Sequence, residues 1–462
     1  MKFRNLTESG PLSGGAWVIT LIAVISGVIV ITRPAAQRQG MAFWTFTRHH
    51  ARMYASQIDR WNAGGYLPVD LQVIDAAAMV RRTLAGFWAQ TPTADMIEVE
   101  RGAIGRFVAC PLDDVGFVDL TNVLARDGIV EQINPPSFSP WRSRGHVFGL
   151  PHDVHPVVLC YRADLVEGIG VDVGRIQTWD DFSRVMGPLI RDLDDDGRPD
   201  RYLLNLWYTD TNAINTLILQ AGGGTFDANG NSLVACEANA RVVATVVSWC
   251  VGPDRIAIDA PEFSPSGNKL RLDGRVIASL MPDWLAGVWM NDLPQLGGKL
   301  KLMPLPAWEP GGRRTSVWGG TMIGFPKDAQ HFDQSWAFAT HLYLSAQLAE
   351  ELFETNHIIS PVVALWDEPF YDQPNTYFSG QHSGRVFIDQ APFVPERTSS
   401  PFRGAALSRI GEAVNALRRF AESRGIHAAD ALLPEARRQL ASANNRLTSE
   451  IQRNVFLAEP AP

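Results

Sequence analysis

No P-loop, Rossmann glycine fingerprint, nucleophile elbow or HExxH pair occurs in the 462 residues. Each of these motifs carries a defined chemistry, so their absence removes the common nucleotide-binding, hydrolase and zinc-protease readings. Charge is sparse, at 19% of residues, with a net charge of -8 and no basic run. A nucleic-acid partner would need a basic surface, so that class is excluded too. Four cysteines are too few for a disulfide scaffold. Cys236 and Cys250 flank one predicted helix, which holds them about 20 Å apart and beyond bridging distance. Cys160 lies in an apolar strand and reads as a buried thiol, whereas the sequence leaves Cys110 undetermined. The histidines show no zinc spacing. His49 and His50 are adjacent, and His152 and His155 flank Asp153 in a Pro-bounded loop. There is no internal repeat and no low-complexity tract.

Uncharged sequence is plentiful at the start. No charged residue occurs from Ser9 through Thr32, and Ala16 to Ile31 is almost wholly apolar. A spanning helix needs about 20 such residues and a signal-peptide core only about 7–15. Arg33-Pro34-Ala35-Ala36 makes a poor cleavage site. Residues 1–36 are therefore expected to be a cytoplasmic tip and an uncleaved transmembrane signal anchor, attaching the protein to the membrane. The alternative is a cleaved signal and a secreted protein. Lys2 and Arg4 before the run and Arg33 and Arg38 after it leave its orientation unsignalled.

A chain of this length exceeds one small core and predicts two lobes. Beyond the apolar run a βαβαβ rhythm begins. Met41–Phe46 reads as a strand, Tyr54, Ile58 and Trp61 as one face of a helix, and Val69, Leu71 and Val73 as an alternating strand. Val80, Leu84 and Phe87 mark a second helix and Met96–Val99 a third strand. Such alternation predicts an α/β fold with open, mostly parallel sheets that bind ligands beyond their carboxyl ends.

The segment from Gly149 to Phe182 is the most specific. Val157 to Tyr161 is a Pro-bounded apolar strand. Thr178 and Asp181 form a capping box, and Phe182, Val185 and Met186 share a helical face that Pro188 ends or kinks. Gly149-Leu150-Pro151, Leu159-Cys160-Tyr161-Arg162-Ala163-Asp164-Leu165 and Thr178-Trp179-Asp180-Asp181-Phe182 resemble the "GLP…YYNKDL" strand and "TWDEF" helix of family 1 extracellular solute-binding proteins of ABC importers. The likeness is to the maltose-binding-protein-like, carbohydrate-binding type. Ala94-Asp95-Met96-Ile97, Pro111-Leu112-Asp113, Gly274 to Ala278 with Trp284, Pro304-Leu305-Pro306 and Trp336 to Gln347 continue the resemblance in family order.

The resemblance implies a two-lobe periplasmic-binding-protein fold with hinge crossings, and no catalysis. Lobe one would take 40–152 with 308–345 and lobe two 153–307 with 346–452, leaving 453–462 as a tail. Helices near Ala405–Glu422 and Asp430–Leu447 would complete lobe two. A carbohydrate would bind in the inter-lobe cleft, on the periplasmic or extracellular face, and pass to ABC permease subunits and their ATPase.

A sugar offers a flat C–H face and a ring of hydroxyls, so its site wants aromatic platforms and polar groups. Trp44 closes the first predicted strand, and Trp207 and Tyr208 sit between apolar segments. Asp283, Trp284, Trp318 and Gly319 occupy positions where the resembled family touches ligand. Glu98 follows on the third strand, with Glu100 beyond it. Asp153 and His152 lie at the expected hinge, and Arg48 and His49 open the first helix. Trp61, Trp88, Trp179, Trp249 and Trp336 fall on helical faces and are assigned to the core. Asp192, Asp194, Asp196 and Asp200 surround Gly197 like the start of an EF-hand loop, without its final bidentate Glu. This predicts either a structural calcium site or a solvated acidic turn. No other cofactor is required. Two readings compete with transport: a tethered ligand sensor, and an anchored glycosidase using Glu98 and Asp283 as its carboxylate pair.

Overall fold

The computed structural model describes residues 14–32 and 40–453. Thirteen strands lie among them. In chain order they are β1 Met41–Thr45, β2 Val69–Val73, β3 Met96–Glu100, β4 Arg142–Ser143, β5 His146–Val147, β6 Leu150–Pro151, β7 Pro156–Arg162, β8 Tyr202–Asn205, β9 Ala257–Ile258, β10 Val276–Pro282, β11 Leu300–Met303, β12 Ser316–Val317 and β13 Thr321–Gly324. One sheet runs β2-β1-β3-β13-β6 and a second β11-β7-β10-β8-β9, with β12 paired to β7. Strands β1, β2 and β3 are parallel, as are β8, β9 and β10, whereas β7 and β13 run antiparallel to their neighbours. Strands β4 and β5 form a separate two-stranded sheet, and the fold is α/β with two large sheets, each covered by helices.

Period-2 alternation builds both layers of the first half. Met41 and Phe43 face Tyr54 and Phe338, while Ala42 and Trp44 face Met79, Phe107 and Phe117. In the second half Val157, Leu159 and Tyr161 face one core, and Val158 and Cys160 the other. The helix Trp179–Met186 begins with the expected capping box, Thr178 and Asp181 each accepting a backbone N–H from the other's residue, and ends in a 3-10 turn containing Pro188. Helices Arg403–Arg424 and Ala429–Gln452 close the second half, placing Leu417, Leu432 and Leu440 in its core.

The chain passes between the sheets at 152–155, from β6 to β7, and again at 318–320, from β12 to β13. Because Ser316 and Val317 pair with Val157 and Pro156, the chain is still in the second sheet well past residue 308, where the return to lobe one was expected. Trp88 departs from its core assignment and is 91% exposed. It lies half a helical turn away from Met79, on the outer face of Ala76–Ala89, while its neighbour Phe87 turns in against Phe107 and Phe117.

Among the described residues no helix is long and apolar enough to cross a membrane. Gly14–Thr32 is nevertheless a 19-residue helix with exposed Trp17, Ile19, Leu21 and Ile22. The expected cytoplasmic tip at 1–13, the poor cleavage site at 33–36 and the tail beyond Arg453 lie outside the described residues. All four cysteines are free, and Cys160 is buried as expected.

Helix Asp283–Asp292, which carries Trp284, meets helix Ala346–Asn356 at Gly287. A Cβ there would stand 2.3 Å from the Asn356 carbonyl oxygen. That oxygen belongs to backbone and has little room to yield. Gly287→Ala should therefore cost about 1–3 kcal/mol, read as a lower urea midpoint.

Candidate functional site: a hinge-side cavity between two sheets

A cavity of about 490 Å³ opens where the carboxyl ends of β1, β3 and β10 face the 318–320 crossing. Its volume falls in the ordinary small-molecule range of about 300–1,000 Å³. Phe46, Thr47, His49 and His50 reach it from the end of β1, Glu100 and Arg101 from the end of β3, and Trp284 from the end of β10. Asn212, Asn215 and Thr216 come from helix Thr211–Gln220, and Arg397 and Arg403 from the C-terminal segment. Open α/β sheets present ligands with this edge, because strand ends and helix starts leave backbone polar groups unpaired there.

The aromatic wall is held rigidly. Trp284 donates its indole N–H to the Trp318 carbonyl at 2.8 Å, and their rings meet edge to face at 6.2 Å. Phe263 lies parallel to Trp284 at 6.3 Å and is 68% exposed. Gly319 and Gly320 have φ of 109° and 133°, in the region that favours glycine. A Cβ on Gly319 would also stand 2.7 Å from the His155 ring and 3.0 Å from the Trp284 indole nitrogen.

Beneath the cavity lies a buried ionic chain. His155 donates from Nδ1 to Asp283 at 2.6 Å and from Nε2 to Asp153 at 3.1 Å. Burial alone would lower the His155 pKa, but the two carboxylates outweigh it and raise it to about 10. Burial would push Asp153 up, but the charge of His155 and the bonds from His155 and His152 hold it far below its ordinary value. Asp153 also accepts the Thr321 backbone N–H, and Asp283 accepts those of Trp284 and Ile359. One imidazolium thus joins the 152–155 crossing, the 318–321 crossing and the segment at Ile359.

A second cluster surrounds Glu98, which accepts from Thr45, His50, Tyr54 and Tyr343. Burial raises this carboxyl, but the charge and hydrogen bond of His50, with His152 and Thr45, bring it down to about 2. Ligand atoms of His50, Glu98 and His152 lie within 4.8 Å of one another. Four donors already occupy Glu98, so it acts as the anchor of a hydrogen-bond network and orients His50 toward the cavity.

Of the expected site residues, Trp284, Trp318 and Gly319 line the cavity together. Asp153 and Asp283 support it from below. The others lie elsewhere. Trp44 is buried in the outer core layer under Arg82, because alternation points it away from the face Phe43 occupies. Phe46, two residues on, is the aromatic at the strand's end. Arg48 is exposed outside the cavity. Trp207 and Tyr208 pack on the second core, where Arg418 covers Tyr208. Glu98 and Asp283 are both fully buried and fully bonded, which removes the glycosidase pair. Sequence reasoning missed His50, His155, Arg101, Arg397 and Arg403. Only the local "HDVH" segment at 152–155 signalled any of them.

In the acidic turn, Asp192, Asp194 and Asp200 carboxylates approach within 4.8 Å, while Asp196 caps the Arg198 N–H instead. Asp192 accepts the N–H groups of Asp194, Asp195 and Gly197, so backbone bonds already close this turn.

Two sheets joined by crossings, with a rigid-walled cavity at their strand ends, define a receptor that holds a small guest between its halves. The chain belongs to the bacterial extracellular solute-binding protein family, which it matches over residues 54–349. It is a binding protein, not an enzyme. An arabinooligosaccharide-binding protein of Halalkalibacterium halodurans is 23% identical over 367 residues, covering 76% of this chain and 78% of that one. Another, of Bacillus subtilis, is 25% identical over 304 residues, covering 64% and 67%. The solved structure of the sugar-binding protein MalE from the phytopathogen Xanthomonas citri superposes with a TM-score of 0.71 at 18% identity, covering 90% of this chain and 99% of that one.

Removing His155 leaves two buried carboxylates facing each other. His155→Ala should cost about 3–5 kcal/mol at neutral pH. A raised histidine pKa stabilises fully below the unfolded value of 6.5 and ceases to do so as pH rises through about 10. The stability gap between wild type and variant, measured by urea unfolding, should therefore be widest near pH 6–7 and narrow above about pH 10.

Proposed function

We propose that this protein is the substrate receptor of an ABC importer, binding a carbohydrate between its two halves outside the cytoplasm and delivering it unchanged to a membrane permease. The observation that carries the reading is that Trp284, Trp318 and Phe46 line the hinge-side cavity together with the hydroxyl and amide groups of Thr47, Asn212 and Asn215. An apolar plane facing hydrogen-bonding groups complements a pyranose or furanose ring. The two arabinooligosaccharide-binding relatives supply the same chemical class. Closure of the halves around the crossings would sequester the sugar and create the surface a permease reads.

Titration with arabino- and malto-oligosaccharides, followed by tryptophan fluorescence and melting temperature, tests this reading. Binding should quench or shift the emission and raise the melting temperature. A ring stacked on Trp284 buries on the order of 100 Å² of apolar surface, about 2.5 kcal/mol. Trp284→Ala should then weaken binding roughly 50-fold. An absence of response to any neutral or charged saccharide would remove the carbohydrate assignment.

We also infer that the helix Gly14–Thr32 anchors the receptor in the cytoplasmic membrane. The reading is motivated by the uncharged apolar run Ala16–Ile31 and by Trp17, Ile19, Leu21 and Ile22 standing exposed on this helix. The full chain should sediment with membranes and resist a high-salt wash, and deletion of residues 1–36 should release it.

A further inference from the structure

The cavity wall carries three arginines with no carboxylate partner. Arg101 and Arg397 are buried and Arg403 is half-buried. Among the described residues the side chains of Arg101 and Arg403 make no hydrogen bond or ion pair, and the Nε atoms of Arg101 and Arg397 are buried without partners. The Arg397 guanidinium donates only to the Gly319 carbonyl on the crossing. Elsewhere the protein compensates buried guanidiniums. Arg162 is paired with Asp164 and Arg271 with Glu262.

Two carboxylates are close enough to act on the three cations through space. Glu100 stands beside them, but it is exposed and accepts the Gly102 N–H. Asp153 is already shared by His152, His155 and the Thr321 N–H. In a chain with a net charge of -8, three guanidiniums without an ion-pair partner thus line one cavity. Burial, and then mutual repulsion with Arg403 and Arg397, lowers the Arg101 pKa, which is the mark of a cation held without its counterion.

We propose that the ligand is an acidic saccharide whose anionic group, a uronate carboxylate, sits on Arg101, Arg397 and Arg403 while its ring lies against Trp284 and Trp318. The proposal rests on the carbohydrate reading and narrows it. A guanidinium presents a planar fork that matches a carboxylate in two parallel hydrogen bonds, and the match strengthens where water is excluded. A neutral sugar would leave the three charges desolvated and unpaired in the closed receptor, which is costly. The anion supplies what the protein withholds.

The test compares trigalacturonate with its neutral methyl ester by calorimetric titration of the full chain, alongside a neutral arabinotriose, galactose 6-phosphate and citrate. The acid should bind about 10- to 100-fold tighter than the ester, and the advantage should shrink as salt rises. Arg403→Gln and Arg101→Gln should each erase most of the advantage. The melting temperature of each unliganded variant should be unchanged or higher, because an uncompensated buried charge has gone. That combination separates ligand binding from a structural role, since a structural arginine would lower the melting temperature on removal. Arginine-dependent binding of galactose 6-phosphate in place of the uronate supports an anionic sugar and assigns its charge to phosphate. Equal affinity for acid and ester, or binding of arabinotriose alone, overturns the proposal and leaves the carbohydrate receptor standing. Citrate binding without any saccharide response, or silence to all five probes, overturns both.

Discussion

A protonated imidazole held between two buried carboxylates governs how the halves of this protein meet. His155 reaches Asp153 on one side and Asp283 on the other. Asp153 precedes the first strand of the second sheet, and Asp283 follows one of its central strands. Through their remaining oxygens the two acids hold the backbone at Thr321, Trp284 and Ile359. A charge cluster taken out of water is stable only if its charges are paired and hydrogen-bonded, and His155, Asp153 and Asp283 all are. The cavity floor is consequently a fixed point, and Trp284 inherits its position from it.

That constraint separates two kinds of group around the cavity. The floor is paired internally: His155 with two acids, and Glu98 with His50 and three hydroxyl donors. The wall is not. Arg101, Arg397 and Arg403 line the same space without an ion-pair partner. Stability alone would favour pairing or replacing these arginines, which is why we propose an anionic guest as their partner. The glycine pair 319–320 has the same logic. Gly319 turns its carbonyl to Arg397, and a side chain there would collide with His155 and Trp284.

Much of the architecture was legible because it rests on local patterns. The period-2 strands from Met41 and Val69, the helix carrying Tyr54 and Ile58, and the Thr178–Asp181 cap each report on neighbours a few residues away. Trp284, Trp318 and Gly319 were legible for a different reason: they stand in short segments whose order resembles a known family. Trp44 shows where such reading fails. A strand covered on both faces buries both of its alternating sets, so a tryptophan near its end is as readily core as cleft. Trp88 fails in the opposite direction, since a helix of that length has an outer face its apolar spacing does not declare.

The sequence by itself determined the α/β class, the two-sheet organisation and an aromatic supply for the cleft, because hydrophobic period and capping are properties of contiguous residues. Long-range folding alone brings His50 to Glu98, places His155 between Asp153 and an Asp283 that is 128 positions further along the chain than the histidine, and puts Arg101 and Arg397 on one wall. Those groups come from strand ends and loops distant along the chain. Their charges acquire meaning only when burial removes the water that would otherwise screen them.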